Sequence, residues 1–279
     1  MIMDGNLVAA SLIGGSLAGM STDIAFFPID TLKTRLQAKG GFWANGGWKG
    51  AYRGLGSAVV ASAPGASLFF LSYESSKKIL HPYAKKHIAN EEIGSGLVHM
   101  ISASIGEIAA CSVRVPAEVI KQRAQASQFS SSVGAFKAIL SNQSGEGVFR
   151  GLYRGWGSTI LREIPFTAIQ FPLYEYLKKT RAKALNVESV SPAEGAIAGS
   201  IAGGFAAALT TPLDVIKTRL MLNKTPIGII TLAKNILKED GYGAFWKGIG
   251  PRTMWISAGG AIFLGTYEVA RKYALMILE

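Results

Sequence analysis

Three lysines in this chain each follow an acid by three residues, and each pair stands behind a proline: Pro28, Asp30 and Lys33; Pro116, Glu118 and Lys121; Pro212, Asp214 and Lys217. An acid and a base at that spacing share one helix face. As isolated surface pairs they would contribute only about 0.2–1 kcal/mol each. Recurrence at intervals of 88 and 96 residues gives them a better use, pairing between copies. Around a pseudo-threefold axis Asp30 meets Lys121, Glu118 meets Lys217 and Asp214 meets Lys33, a ring of ions that can shut one end of a central cavity.

A second triple carries the same chemistry. Tyr73-Glu74 with Lys77, Tyr174-Glu175 with Lys178, and Tyr267-Glu268 with Arg271 place an acid and a base three apart in each copy. Ring closure there joins Glu74 to Lys178, Glu175 to Arg271 and Glu268 to Lys77. Two rings at opposite ends predict alternation, one opening as the other forms, because solvent replaces most of the Coulomb gain when an exposed pair parts.

Between the rings the apolar stretches hold few charges: Asp23, Glu107, Arg114, Arg162 and Glu163, with Arg252 at the start of the last stretch. Each costs roughly 2.5–3.5 kcal/mol at a bilayer centre unless it faces water or a ligand. Counting ~1.5 Å per helical residue puts Asp23 ~10 Å and Glu107 ~16 Å from the first ring, and Arg162-Glu163 ~20 Å from the second. Arg162 beside Glu163 matches an α-carboxylate and an α-ammonium. The corresponding positions in the other copies, thirteen before the second-ring acid, are Ala61, which leaves room, and Trp255, whose indole can stack on a base or attract a cation. Asp23 and Glu107 add negative charge beyond one zwitterion, which fits a ligand with a further positive centre. Arg114, four residues before Glu118, is equally consistent with an accessory role at the first ring.

The elements that must position these groups are helices. Apolar stretches fall at about 7–29, 55–73, 97–117, 157–173, 195–213 and 253–267, several near the ~20 residues needed to cross a membrane, and a backbone in lipid must satisfy its own hydrogen bonds. Hydrophobic residues are 49% of the chain and charged residues 17%, a balance that points to a membrane protein. Each copy also carries an aromatic-basic-glycine triplet: Tyr52-Arg53-Gly54, Tyr153-Arg154-Gly155 and Trp246-Lys247-Gly248. The unit therefore reads as spanning helix, short surface helix, spanning helix, with prolines bending the first helix of each copy. Gly15 and Gly19, Ala103 and Glu107, and Gly199 and Gly203 supply small-xxx-small spacing for close helix approach, Glu107 excepted. The net charge of +11 lies on one face, at the loops after the odd-numbered stretches, as a positive-inside bias places it; nucleic acid is the weaker reading. The lone Cys111 excludes an intrachain disulfide. Residues 1–12 resemble neither a transit nor a signal peptide. An enzyme using Asp23 and Glu107 as acid and base is the competing class. It lacks a nucleophile, metal cluster or phosphate loop in the sequence, and His81, His87 and His99 lie off the motifs.

Together the threefold proline-acid-lysine motif, the triplet and the tyrosine-acid-x-x-base motif resemble the mitochondrial carrier family over essentially the whole chain. The resemblance implies an all-α membrane protein: six tilted transmembrane helices in three pseudo-threefold repeats (1–88, 89–190 and 191–279) with short matrix-side surface helices. It further implies a multi-pass inner-membrane monomer with both termini on the intermembrane-space side, and no cofactor or metal. By the same resemblance the first ring is the matrix gate and the second the cytoplasmic gate. Gln37 and Gln125 match the family's glutamine brace while Met221 fills the third position, and cardiolipin binds at Arg53, Gly54, Arg154, Gly155, Lys247 and Gly248. The acidic-glycine turns Glu146-Gly147 and Asp240-Gly241 are replaced by Gly46-Gly47 in the first copy. Arg162-Glu163 is similar to the amino-acid-transporting branch. The runs 26–30, 61–67, 162–167 and 255–260 are similar to the branch that moves S-adenosylmethionine, which implies its import in exchange for S-adenosylhomocysteine. Another amino-acid-like or nucleotide-like solute is the alternative.

Overall fold

The computed structural model describes residues 5–88, 91–187, 190–225 and 227–259, and for residues 5–18, 91–93 and 192 the backbone only. Every regular element among the described residues is helical. Helix α1 runs Gly5–Gln37, α2 is the single turn Gly41–Ala44, α3 spans Leu55–His87 and α4 Glu91–Gln125. Then come α5 (Ser132–Leu140), α6 (Val148–Leu152), α7 (Trp156–Leu185), α8 (Pro192–Leu209), α9 (Thr211–Leu222) and α10 (Ile229–Asp240). A 3-10 turn, Tyr242–Trp246, leads into α11 at residues 249–259. Helix α3 and residues 94–125 of α4 are each long and apolar enough to cross a membrane, and α8 with α9 passes the same test as a broken span.

The long helices pack through small residues. A Cβ added at Gly106 of α4 would lie 3.0 Å from the Phe69 carbonyl oxygen of α3. Gly195 and Gly199 of α8 face the Tyr174 ring of α7, and Gly203 lies against Ile256 of α11. Apolar side chains such as Val60, Leu71, Ile101, Ile197 and Phe205 stay exposed on the outside, the surface a bilayer covers in place of a protein core.

The three prolines do not act alike. Helices α1 and α4 run unbroken through Pro28 and Pro116, whereas the third copy breaks at Thr210 and α9 leaves α8 at 64°. Pro212 lacks the N–H that the Ala208 carbonyl would receive. Around the break Thr210 Oγ1 donates to the Ala206 carbonyl at 2.8 Å and Thr211 Oγ1 to the Ala207 carbonyl at 2.8 Å.

The surface helices also differ. Helix α5 starts at Ser131, whose Oγ accepts from the Gly134 N–H at 3.0 Å, and buries Ala135 and Ile139 against α4. Helix α10 buries Leu232 and Ile236 on Ile216 and Leu220 of α9. In the first copy the expected helix shrinks to the one turn of α2 in a glycine-rich run, where Gly40, Gly41, Gly46, Gly47 and Gly50 all take positive φ and cost a longer helix too much entropy.

Each triplet glycine turns the chain with positive φ, 99° at Gly54, 82° at Gly155 and 79° at Gly248. It does so against the gate helix of the next copy. An added Cβ would come within 2.8 Å of the Lys121 carbonyl oxygen at Gly54, 2.9 Å of Met221 Cγ at Gly155, and 3.3 Å of the Lys33 carbonyl oxygen at Gly248. The first copy thus leans on the second, the second on the third and the third on the first.

Candidate functional site

The three acid-lysine motifs meet across this ring. Lys121 Nζ lies 2.8 Å from Asp30 Oδ2, Lys217 Nζ 2.7 Å from Glu118 Oε1, and Lys33 Nζ 2.7 Å from Asp214 Oδ2. All three pairs join different copies, and Asp214 and Lys217 are buried. Two glutamines support them. Gln125 Nε2 donates to Asp30 Oδ2 at 2.9 Å and to Thr31 Oγ1 at 3.1 Å, while Gln37 Nε2 donates to Asp214 Oδ2 at 2.9 Å. Their carbonyl ends accept from Thr34 Oγ1 (3.0 Å) and Thr218 Oγ1 (2.8 Å), which fixes each amide's orientation. The residue equivalent to those threonines in the second copy is Gln122. Met221 stands where a third brace would be, buried with Val115 and Val119, so Gln122 donates instead along its own helix to Glu118 Oε1 at 3.1 Å.

Two residues beyond each lysine, Arg35, Arg123 and Arg219 tie the gate helices to the loops. Arg123 holds Glu146 through Nη1 at 2.6 Å and Nη2 at 3.1 Å, and Arg219 holds Asp240. Burial alone would raise the Glu146 carboxyl, yet hydrogen bonds from Arg123 and Ser144 bring it below its ordinary range. The hydrogen bond from Arg219 likewise lowers Asp240. The first copy has Gly46-Gly47 in place of an acid, and buried Arg35 is solvated by the carbonyl oxygens of Gly47, Gln125 (2.7 Å) and Lys49 (2.9 Å). The sequence displays both the arginines and the acidic turns at repeated offsets; their partnership is the signal that reading them separately misses.

Of the second triple, the described residues include Glu74, Lys77, Glu175 and Lys178. Glu74 pairs with Lys77 of its own helix at 2.7 Å and Glu175 with Lys178 at 3.2 Å, and among the described residues neither joins another copy. The acids are about half exposed, so water solvates them and the local i,i+3 contact contributes little. Glu268 and Arg271, with Tyr267, lie outside the described residues. Tyr73 Oη instead contacts Nδ1 of His99 on α4 at 2.6 Å.

Within the cavity the charges sort into pairs. Glu107 binds Arg114, seven residues further along α4; buried Cys111 sits between them, its Sγ 3.8 Å from Glu107 Oε1. Arg162 binds its neighbour Glu163, and Arg162 Nε lies 3.7 Å from Asp214 Oδ1, so the candidate ligand pair touches the first ring directly. Asp23, partly buried, has Lys121 and Asp30 as charged neighbours. Ala61 and Trp255 are both half-buried. Arg252 departs from its expected place as a ligand contact. It is 2% exposed, ion-paired to Asp214, and donates to the Ala207 carbonyl at 3.1 Å and to Thr210 Oγ1 at 3.0 Å. It fills the break between α8 and α9, where freed carbonyls need a donor.

The triplets are also more occupied than expected. Arg154 donates to the Asn223 carbonyl at 2.9 Å and lies 3.5 Å from Glu146, and the three glycines are taken up in helix contacts. Beside the first triplet an open cleft of about 600 Å³ is lined by Trp48, Arg53, Gly54 and Ser130 to Ser132, facing the capped N-terminus of α5.

A family model described as mitochondrial carrier protein matches the chain three times, at residues 5–84, 94–184 and 188–277. The putative mitochondrial carrier protein PET8 of Eremothecium gossypii is 62% identical over 259 residues, 93% of this chain and 96% of the relative. The mitochondrial S-adenosylmethionine carrier protein of Danio rerio is 45% identical over 98% of this chain and 100% of its own length. Its namesake from Mus musculus is 46% identical over 99% and 98%.

Proposed function

Because the chain belongs to the mitochondrial carrier family, whose members are multi-pass transporters of the mitochondrial inner membrane, we propose that it imports S-adenosylmethionine into the matrix in exchange for S-adenosylhomocysteine. Relatives bearing the S-adenosylmethionine carrier name are 45–46% identical over nearly the full length. The observation that carries the reading is Arg162 between Glu163 and Asp214. A guanidinium and a carboxylate stand side by side for an amino-acid end, and the guanidinium also reaches the gate.

In this reading Asp30, Lys33, Gln37, Glu118, Lys121, Gln125, Asp214 and Lys217 form the matrix gate, here closed. Glu74, Lys77, Glu175, Lys178, Glu268 and Arg271 form the cytoplasmic gate. The cargo's carboxylate competes with Asp214 for Arg162, which loosens the third pair and admits release to the matrix. Each repeat (1–88, 89–190, 191–279) contributes one leg, and both termini lie on the intermembrane-space side. The protein works as a monomer, with cardiolipin phosphates at Arg53 and the α5 N-terminus in the cleft beside the first triplet.

Purified protein reconstituted in liposomes tests the assignment. Labelled S-adenosylmethionine should exchange, and Arg162→Ala and Glu163→Ala should each abolish exchange while thermal stability persists. Unaltered exchange in both variants would overturn the site. Competition by arginine or ATP in place of S-adenosylhomocysteine would move the cargo to another amino-acid-like or nucleotide-like solute.

A further inference from the structure

We propose that Asp23, together with Trp255 on the adjoining helix, is the element that reads the sulfonium charge and so distinguishes the methylated cargo from its demethylated thioether product; this rests on the transport reading above. Three acids occupy the cavity layer, and two already have cations. Glu107 is taken by Arg114 and Glu163 by Arg162. Asp23 makes no ion pair among the described residues; the neighbouring cation Lys121 is engaged at 2.8 Å by Asp30 in the gate below and has its ammonium over the Phe27 ring. The extra cation of the gate layer, Arg252, is fixed on Asp214. The cavity layer thus carries three acids against two bases, an excess of one negative charge at Asp23. A zwitterionic amino-acid end plus one sulfonium carries the complementary single positive charge, whereas the thioether product carries none.

The surroundings of Asp23 suit a soft, weakly hydrated cation. A Cβ at Gly259 of α11 would lie 3.5 Å from Thr22 Cγ2 of α1, so the two helices touch at the residue next to Asp23. Trp255 is four residues before Gly259 and shares its helix face. On the other flank Gly19 of α1 approaches Ser62 of α3 (3.6 Å to an added Cβ), next to Ala61. Asp23 therefore stands on a helix bordered by an indole-bearing helix on one side and by small residues on the other. A carboxylate with an aromatic face binds an alkylated onium better than a hydrated ammonium, because the onium loses little hydration on entry.

The readout is the ratio of initial uptake rates of S-adenosylmethionine and S-adenosylhomocysteine into proteoliposomes at equal concentration. Asp23→Asn should lower that ratio about tenfold, the scale expected for one lost charge contact in a partly wet site, while Asp23→Glu keeps it within twofold. Trp255→Leu should lower the ratio severalfold and Trp255→Phe should preserve it, so the idea remains testable if the Asn variant does not fold. A ratio unchanged in Asp23→Asn or, failing that, in Trp255→Leu overturns the proposal, as does an equal fall for both cargoes, which would make the position merely structural. Failure of the unaltered protein to carry either cargo would instead overturn the underlying transport reading.

Discussion

Gln122 does the work that Met221 leaves undone. Its side-chain amide donates to Glu118 at 3.1 Å, in the one gate pair that lacks a glutamine from the partner lysine's helix. The other two legs each use a glutamine held by a threonine of the neighbouring copy, Gln125 by Thr34 and Gln37 by Thr218. The Glu118–Lys217 leg lacks both halves of that arrangement, the glutamine at Met221 of the third copy and the threonine at Gln122 of the second.

Restoring both halves should strengthen the gate. The double variant Gln122→Thr/Met221→Gln rebuilds the third brace in a buried site of similar volume. One additional net hydrogen bond contributes about 0.5–1.5 kcal/mol. A rise of a few degrees in the detergent-solubilised melting temperature and slower exchange are expected. Either single substitution should be destabilising, because it leaves a buried amide or carboxylate short of a partner.

Charge reversal should separate the legs. Asp30→Lys places two ammonium groups together and should cost at least tenfold in exchange, since like charges about 4 Å apart repel by several kcal/mol even with substantial screening. Adding Lys121→Asp should recover much of the loss. The same exchange at Lys33 and Asp214 should fail to recover, because Arg252 and Arg162 also converge on Asp214 and would confront the new lysine. Equal recovery at both legs, measured as exchange rates in liposomes, would contradict this asymmetry.

The loop arginines predict an acid limb in stability. Glu146 has its carboxyl lowered in the folded state, so its pairing with Arg123 is fully present above the ordinary value of 4.5 and fades as pH falls through the lowered one. Glu146→Gln should destabilise by about 3 kcal/mol at neutral pH, the scale of a buried pair that loses one member. It should also flatten the fall in melting temperature below pH 4.5. A variant with the same acid limb as the parent would show that other carboxylates set it.

Gly54→Ala should be severe for its size. The residue sits at φ 99° and its new methyl would meet the Lys121 backbone oxygen at 2.8 Å, where neither partner is a flexible side-chain end. Left-handed backbone alone costs about 1–2 kcal/mol for a residue with a Cβ, and the clash adds to it. Gly157→Ala, at the second residue of α7 with open space at its Cβ, is the control and should be near neutral in thermal melts.

The arrangement of ions was legible where chemistry repeats. Asp30, Glu118 and Asp214 lie at one offset from a proline, and three copies of an acid-base pair leave few geometries besides a ring. Arg252 was not legible, because nothing in its neighbours reveals that the chain breaks at Thr210 and leaves carbonyls for a guanidinium to fill. Sequence spacing also placed Arg114 equally near the gate and the cavity; only side-chain reach decides that it turns to Glu107, two helical turns away. The second triple shows the limit most plainly. Glu74 and Lys77 read identically whether they close a ring or pair at home, since the choice belongs to the conformation and not to the residues.

The break at Thr210 gives the third repeat a ready-made joint. Opening the matrix end requires the segments below the prolines to swing outward. In α1 and α4 that motion must flex a helix that continues through its proline with one backbone bond missing, whereas α9 already pivots at 64° from α8 and is steadied there by Arg252. The least resistant door is therefore the third one, and movement should start where the cargo's own arginine already touches Asp214.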